Sequence, residues 1–549
     1  MISEGIARIA EGAGDVCVIG SGPVGISLAL ELASKGHKVV LLESGGPKAD
    51  DQIQALSDAE LVDPSRHDDM RIAVSRQLGG TSNLWGGFCL PYDPVDFVAR
   101  PGLVDATWPI SYDDLMPHYA RAAAYARSGD AVYEAPVQGV VTADAAFSFD
   151  TLERSSSGQK FHVMHRQDLA TNPNIEVFLH ATVAHLELDE RGRVGAIEVV
   201  HSETLERRTL RVRQVVVAAG GLESTRLLLD LQARHPQLFS GPDGPLGRYY
   251  MGHLIGDIAD IEFLSEDLDR AFPYFNDGHG SYVRRRFVPS CEVQLREGIL
   301  NSALWPIVPP VADPVHGSAI LSAIYLALAF DPLAKFLVAE AIRKRHIPDR
   351  KVSLGRHLLN LVQGFPSAVA FSGGFLWHRY CTKIRIPGFF VRNRAMRYPL
   401  AYHSEQLPQP DSRVWLSEDC DRTGLRKLRI DLRFDRRDAI SVVRTHELLE
   451  AWLQKTGLGR LHWRHVGNED RIDAVMALAQ HGTHQIGTAR MGSDQSSAVV
   501  DRDLRTFDVP NLFVASTAVM PTSGQANPTL TAIALAMRLA ADWDRLSAA

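Results

Sequence analysis

Asp15-Val16-Cys17-Val18-Ile19-Gly20-Ser21-Gly22-Pro23-Val24-Gly25 is the stretch that decides the fold. Asp15 to Ile19 is a short apolar run of the kind that forms a strand buried on both faces. A G-x-G-x-x-G turn follows at once, helical spacing runs from Ile26 to Lys35, and Lys38 to Leu42 reads as a second strand ending in Glu43. Strand, glycine turn, helix, strand and acid, in that order, is the context in which the glycine fingerprint denotes a dinucleotide site. Gly20 permits the tight turn, Gly22 lets a pyrophosphate approach the backbone, and Gly25 lets the helix pack on the sheet. The helix start turns unpaired N–H groups toward the phosphates. Glu43, 18 residues beyond Gly25, is placed to hold a ribose hydroxyl. The fingerprint does not choose between FAD and NAD, but it occurs once, so one tightly kept flavin is the simpler expectation.

Outward from this motif, 549 residues suggest about three to four domain-sized units. Hydrophobic residues make up 45% and charged residues 22%, which excludes a disordered chain. A net charge of −7 argues against a nucleic-acid binder, which needs a basic face to displace counterions. The five cysteines are scattered and contain no C-x-x-C pair, so neither a structural zinc site nor a disulfide framework is expected. Met1 to Gly14 lacks an apolar signal region, and the longest apolar stretch, Ala319 to Phe330, is 12 residues. A spanning helix needs about 20. The expectation is a soluble, cytoplasmic protein, unless a partner subunit carries an export signal.

Residues 76–87 hold Gly79, Gly80, Gly86 and Gly87 around Ser82 and Asn83. Such a loop lets backbone lie close against a flat ligand, with Gly80, Ser82 and Asn83 as contacts; glycine content alone also fits a surface loop. Ile175 to Leu179 and Ala181 to Val183 read as a strand pair, and Val215 to Ala219 as an apolar strand running into Gly220-Gly221 and a helix. Val183 and Ala219 join the expected cofactor contacts. These returns place more of one doubly wound sheet late in the chain. The fold class is therefore α/β (α+β overall). Residues 11–100, 160–255 and 476–549 form a discontinuous dinucleotide-binding domain. Residues 101–159 and 256–475 form a substrate domain on an antiparallel sheet with helices, with a helical insert around 317–380. Within it, 413–434 reads as a hairpin about the turn Asp421-Arg-Thr-Gly424. Residues 317–346 look helical and end in Arg343-Lys-Arg345-His346. A core helix with cations at its C-terminus fits this pattern better than a membrane-surface or partner-docking element.

Near the C-terminus stand His484-Gln-Ile-Gly487-Thr488-Ala-Arg490-Met491-Gly492, the strand Asn511 to Ser516, and Gln525-Ala-Asn527-Pro528-Thr529-Leu-Thr531 leading into a long helix. Pro528 suits the first helical turn and Asn527 the N-cap region. The helix start would present its positive dipole end to an electron-rich group such as a reduced flavin's N1–C2=O edge.

These blocks, with Trp108-Pro-Ile-Ser-Tyr112 and Leu246-Gly-Arg-Tyr-Tyr-Met251-Gly-His253, resemble the glucose–methanol–choline (GMC) oxidoreductases over nearly the whole chain. The C-terminal motifs are most similar to those of pyranose 2-oxidase-like sugar and glycoside oxidases. The resemblance implies a two-domain FAD enzyme with a paired active site, His484 and Asn527. A neutral imidazole takes the hydroxyl proton as hydride leaves carbon for flavin N5. An unperturbed histidine, near pKa 6.5, is mostly neutral at cellular pH. Asn527 cannot take a proton but can donate an N–H to the developing alkoxide. His481 is the other histidine of the block; the Gly-Thr spacing selects His484. Ser516, Pro528 and Thr529 complete the expected cofactor contacts, although many family members have Asp where Ser516 stands. Relatives that hold FAD covalently have histidine before the loop tryptophan, whereas Leu84 precedes Trp85 here, so the FAD is expected to be non-covalent.

The leading expectation is oxidation of a secondary alcohol of a sugar or glycoside to a ketone, with oxygen, a quinone or a redox protein as electron acceptor. The alternatives are oxidation of a primary alcohol to an aldehyde on an aminosugar of a natural product, the flavin subunit of a membrane-linked sugar dehydrogenase, and a lyase with structural FAD. Oligomeric state and substrate identity are left open, and neither a nucleic-acid partner nor a metal is expected.

Overall fold

The computed structural model describes residues 1–9, 14–105, 107–140, 142, 144–158, 160–330 and 353–548. Its centre is a six-stranded sheet in the order Ile2–Glu4, Ile175–Leu179, Val39–Leu42, Val16–Ile19, Val215–Val217, Leu512–Val514. All five pairings are parallel. Every residue of Val16–Ile19 and Val39–Leu42 is buried, as their unbroken apolar runs require. Helices Pro23–Ser34 and Thr529–Ala541 pack against each other, so the first and last motifs of the chain meet at one end of the sheet.

The backbone explains the fingerprint glycines. A Cβ on Gly25 would lie 1.9 Å from the Gly20 carbonyl oxygen, and Gly20, at φ +102°, would place one 2.7 Å from that of Ala218. Gly22 by contrast faces open space. The helix starts at Pro23, whose missing N–H removes no intrahelical bond there.

The second unit is an antiparallel four-stranded sheet, Ser302–Pro306, Arg397–Glu405, His253–Phe263, Gly459–Trp463. Its face is covered by the helix Arg436–Thr456, and Phe263, Phe287, Tyr398 and Trp452 lie in a core of their own. The mixed α/β class with an antiparallel second sheet is thus present.

Three local expectations change. Ile175–Leu179 and Ala181–Leu188 are not a pair. His180 takes φ +56° between them, and the second strand enters a separate antiparallel sheet with Val194–His201 and Arg207–Arg211. The hairpin Arg413–Cys420 with Arg426–Asp431 forms, but it pairs in parallel with Ala59–Leu61 and buries Val414, Leu428 and Ile430 in the dinucleotide domain's core. Of the helix expected over 317–346, the described part is Ala319–Ala329; the basic run Arg343-Lys-Arg345-His346 lies outside the described residues. No helix among the described residues is long and apolar enough to cross a membrane.

Candidate active site

A cavity of about 730 Å³ opens at the C-terminal ends of the parallel strands, where α/β sheets place their ligands. Its walls include Gly20, Gly22, Glu43, Gly80, Ser82, Val183, Ala219, Ser516, Pro528 and Thr529, together with His484 and Asn527. Residues expected from seven separate stretches of sequence therefore surround one space. Two expected contacts stand outside it. Gly25 is packed under Gly20, as its proposed packing role requires. Asn83 instead braces its own loop, donating from Nδ2 to the carbonyls of Leu78 (3.1 Å) and Gly80 (2.8 Å).

At the fingerprint end, Glu43 Oε2 accepts from Ser21 N (3.1 Å) and Ser21 Oγ (2.5 Å), and Oε1 accepts from Gly45 N (2.7 Å). The carboxylate is thus anchored at the strand end beside the glycine turn. Gly80, at φ +53°, lies so close to Gly22 that a Cβ would come 2.8 Å from its Cα. The glycine loop is therefore a second wall laid directly on the first. Ser82 closes it, its hydroxyl donating to the Gly79 carbonyl (2.5 Å) and accepting from Phe161 N (3.0 Å).

At the other end, the helix Thr529–Ala541 begins one residue later than expected, with Pro528 as its cap and Asn527 just outside. Its first turn lines the cavity through Pro528, Thr529 and Ala532 and has no side-chain cap. Ser516 does not reach across the cavity; its Oγ accepts from Ala518 N (3.2 Å) and starts the turn Thr517–Val519.

The chemistry concentrates around His484. His253 Nε2 lies 3.1 Å from the Ser523 carbonyl oxygen, which can only accept, so that nitrogen carries the proton. The neutral His253 ring then offers a lone pair at Nδ1. His484 Nδ1 is 2.9 Å from it and must be the donor. This leaves Nε2 as the free lone pair of His484. Burial supports the neutral state on both rings: it pushes His484 down to about 4, and, with His403 and His484 nearby, holds His253 well below the ordinary range.

His403 stacks on His253 with ring centroids 4.1 Å apart and donates from Nδ1 to the Gln525 carbonyl (2.6 Å), leaving a buried Nε2 without a partner. His481 lies 4.7 Å from His484 between ring centroids and contacts Thr483 Oγ1 through Nε2 (3.2 Å); it does not line the cavity. Asn527 donates from Nδ2 to Glu153 Oε1 (3.3 Å). Burial would raise the Glu153 carboxyl, but Arg284 and Arg286 beside it hold it below its usual value. The charged, acceptor-only carboxylate thereby orients the amide.

Sequence reasoning missed His403 and Glu153 and gave His253 no role. His253 stood in a quoted motif, but its contact with His484 joins residues 231 apart. His403 and Glu153 carry no local signal at all.

Comparison with known proteins then places the chain. Residues 408–536 match the family model described as GMC oxidoreductase, and residues 15–287 match that of the FAD dependent oxidoreductases. The chain thus joins a GMC oxidoreductase C-terminal region to an FAD dependent oxidoreductase region. It is 24% identical to a 2-methyl-1,2-propanediol dehydrogenase of Mycolicibacterium austroafricanum over 95% of this chain and 94% of the relative. It is also 24% identical to a 6'''-hydroxyparomomycin C oxidase of Streptomyces lividus (95% and 90%) and 27% identical to a C-glycoside 3-oxidase of Microbacterium trichothecenolyticum (85% and 75%). Among solved structures, pyridoxine 4-oxidase from Mesorbium loti superposes with a TM-score of 0.54 at 16% identity, covering 97% of this chain and 99% of that one, which shows a common fold. This oxidoreductase is FAD-dependent and acts on CH–OH groups. The cavity suits that cofactor: Gly22 is open toward it, the glycine loop forms a narrow wall, and an uncapped helix start closes the far end.

Proposed function

We propose that this oxidoreductase oxidises a secondary alcohol of a sugar or glycoside to a ketone, with His484 as the base. The observation that carries the reading is the fixed tautomer: His484 Nδ1–H is spent on His253, so Nε2 is a lone pair at the cavity wall it shares with Asn527. Bound FAD supplies the acceptor for the hydride that leaves the alcohol carbon. His484 Nε2 takes the hydroxyl proton, and Asn527, held by Glu153, presents its remaining amide N–H to the oxygen. Gly20, Gly22, Glu43, Gly80, Ser82, Val183, Ala219, Ser516, Pro528 and Thr529 hold the cofactor. It is held non-covalently, in keeping with Leu84 rather than histidine before Trp85.

The sugar class rests on the relatives named as C-glycoside and hydroxyparomomycin oxidases. A primary alcohol of an aminosugar is the second reading; a relative named paromamine 6'-oxidase, 24% identical over 96% of this chain, favours it. Anaerobic addition of a panel of glycosides and aminoglycosides to the FAD-loaded protein decides between them. Bleaching of the flavin band with a ketone product supports the first reading, and bleaching with an aldehyde supports the second. Bleaching that persists unchanged in His484→Ala would remove His484 from the mechanism.

A further inference from the structure

Helix Leu354–Gln363 is amphipathic the wrong way round, and helix Phe365–Leu376, which follows it after Gly364, is apolar on nearly all sides. The face of the first that packs on the protein is polar. His357 Nδ1 meets Ser322 Oγ (3.1 Å), its ring stacks on Tyr325 (centroids 4.2 Å apart), and Asn360 Nδ2 donates to the Pro314 carbonyl (2.9 Å). The outward face is apolar: Leu358, Leu359, Val362, Phe365, Val369 and Trp377 are exposed, Val362 at 77% and Trp377 at 61%. Scattered exposed apolar residues need no explanation, but six of them along two consecutive helices, the first with its polar side turned inward, mark a surface that something covers.

Charge identifies what that is. From Ser353 to Ser404 there is no Asp or Glu, against seven Lys or Arg, in a chain whose net charge is −7. Arg392 and Arg397 pair with Asp269 and Asp260. Arg356, Lys383, Arg385 and Arg394 are exposed and have no carboxylate partner among the described residues. A second copy presenting the same face would bring these like charges together. The two helices, of 10 and 12 residues, are too short to span a bilayer but long enough to lie in its surface, with Trp377 and Tyr380 at headgroup level.

We propose that the apolar outer face of these two helices, with its basic rim, docks this oxidoreductase on the surface of an anionic lipid bilayer. Apolar burial and attraction to anionic headgroups then act together, as a stable surface anchor requires. The proposal is independent of which alcohol the cavity oxidises.

The test is co-sedimentation of the full-length, FAD-loaded protein with extruded vesicles of phosphatidylcholine containing one third phosphatidylglycerol, beside pure phosphatidylcholine vesicles, at low and high salt. The parent should partition onto the anionic vesicles and be released by salt. The double variants Val362→Ser with Trp377→Ser, and Lys383→Glu with Arg385→Glu, should each lower that partitioning by at least about tenfold. Flavin content and the rate of substrate-driven bleaching should stay as in the parent. The surface charge variant keeps the test decisive if the apolar variant folds poorly. Absence of partitioning, equal partitioning on both vesicle types, or a dimer in sedimentation velocity that the apolar variant dissociates would each overturn the proposal.

Discussion

Replacing His253 with Phe tests the proposed base without touching it. His253 is fully buried, and its Nδ1 accepts the His484 Nδ1–H at 2.9 Å. Phe preserves the stacked, apolar body of the ring and removes the acceptor. His484 then has two choices. It can keep the proton on Nδ1 with no partner, a buried unmet donor costing about 1–3 kcal/mol. Otherwise it shifts the proton to Nε2, where the ring can no longer accept from an alcohol. The base-competent tautomer therefore falls by about 5- to 150-fold, and the limiting rate of flavin reduction falls with it. Affinity for the alcohol should change little, because Nε2 contacts the hydroxyl in either tautomer. His253→Asn restores an acceptor near the lost Nδ1 and should recover most of the rate. Anaerobic stopped-flow at the flavin band measures both quantities, with flavin content and melting temperature as folding controls. A fully flavinated His253→Phe protein that reduces within about twofold of the parent would refute the tautomer argument. Equal losses in Phe and Asn would refute it as well.

Gly25→Ala should abolish FAD retention and soluble expression, because its Cβ would fall 1.9 Å from the Gly20 carbonyl oxygen; far-UV circular dichroism and flavin absorbance report this. Burial holds His67, His446 and His484 at about 4, below the value of about 6.5 that each has unfolded. The unfolded chain then binds more protons between these values, so melting temperature should fall as pH drops from 6.5 toward 4, and His446→Phe should flatten that slope. Arg100 makes a two-pronged ion pair with Glu405 (both contacts 2.6 Å) in the protein interior, so Arg100→Ala should lose about 3–5 kcal/mol in urea unfolding.

What could be read from the chain was what local chemistry dictates. The fingerprint is a set of steric demands within eleven residues, and the cavity walls repeat it: Gly20, Gly22 and Glu43 line the space while Gly25 lies beneath. The Asn527-Pro528 helix start was legible for the same reason, to within one residue. The strand break at His180 was not, because a non-glycine residue at φ +56° leaves no mark in the sequence. Nor was the destination of the 413–431 hairpin, whose partner Ala59–Leu61 is chosen by packing with distant residues. His403 illustrates the general obstacle. A strand shows two faces, and only the placement of the whole sheet decides that this residue, and not Tyr402 or Ser404, meets His253.

That placement also determines what the histidine cluster does with a proton. His253, His403 and His484 are all pushed below the ordinary imidazole range by burial, so a charge on any one of them is unfavourable. A proton taken by His484 at Nε2 could in principle pass from Nδ1 to His253 Nδ1. From there it has no exit, since His253 Nε2 already points its proton at the Ser523 carbonyl, which accepts but cannot be protonated at any ordinary pH. The His484–His253–Ser523 chain is therefore a lock on the tautomer and not a wire to solvent. On the proposed mechanism the proton leaves by the face it entered, through the cavity. The buried cluster serves the alcohol by keeping one lone pair permanently free, and its low basicity returns that lone pair to service for the next turnover.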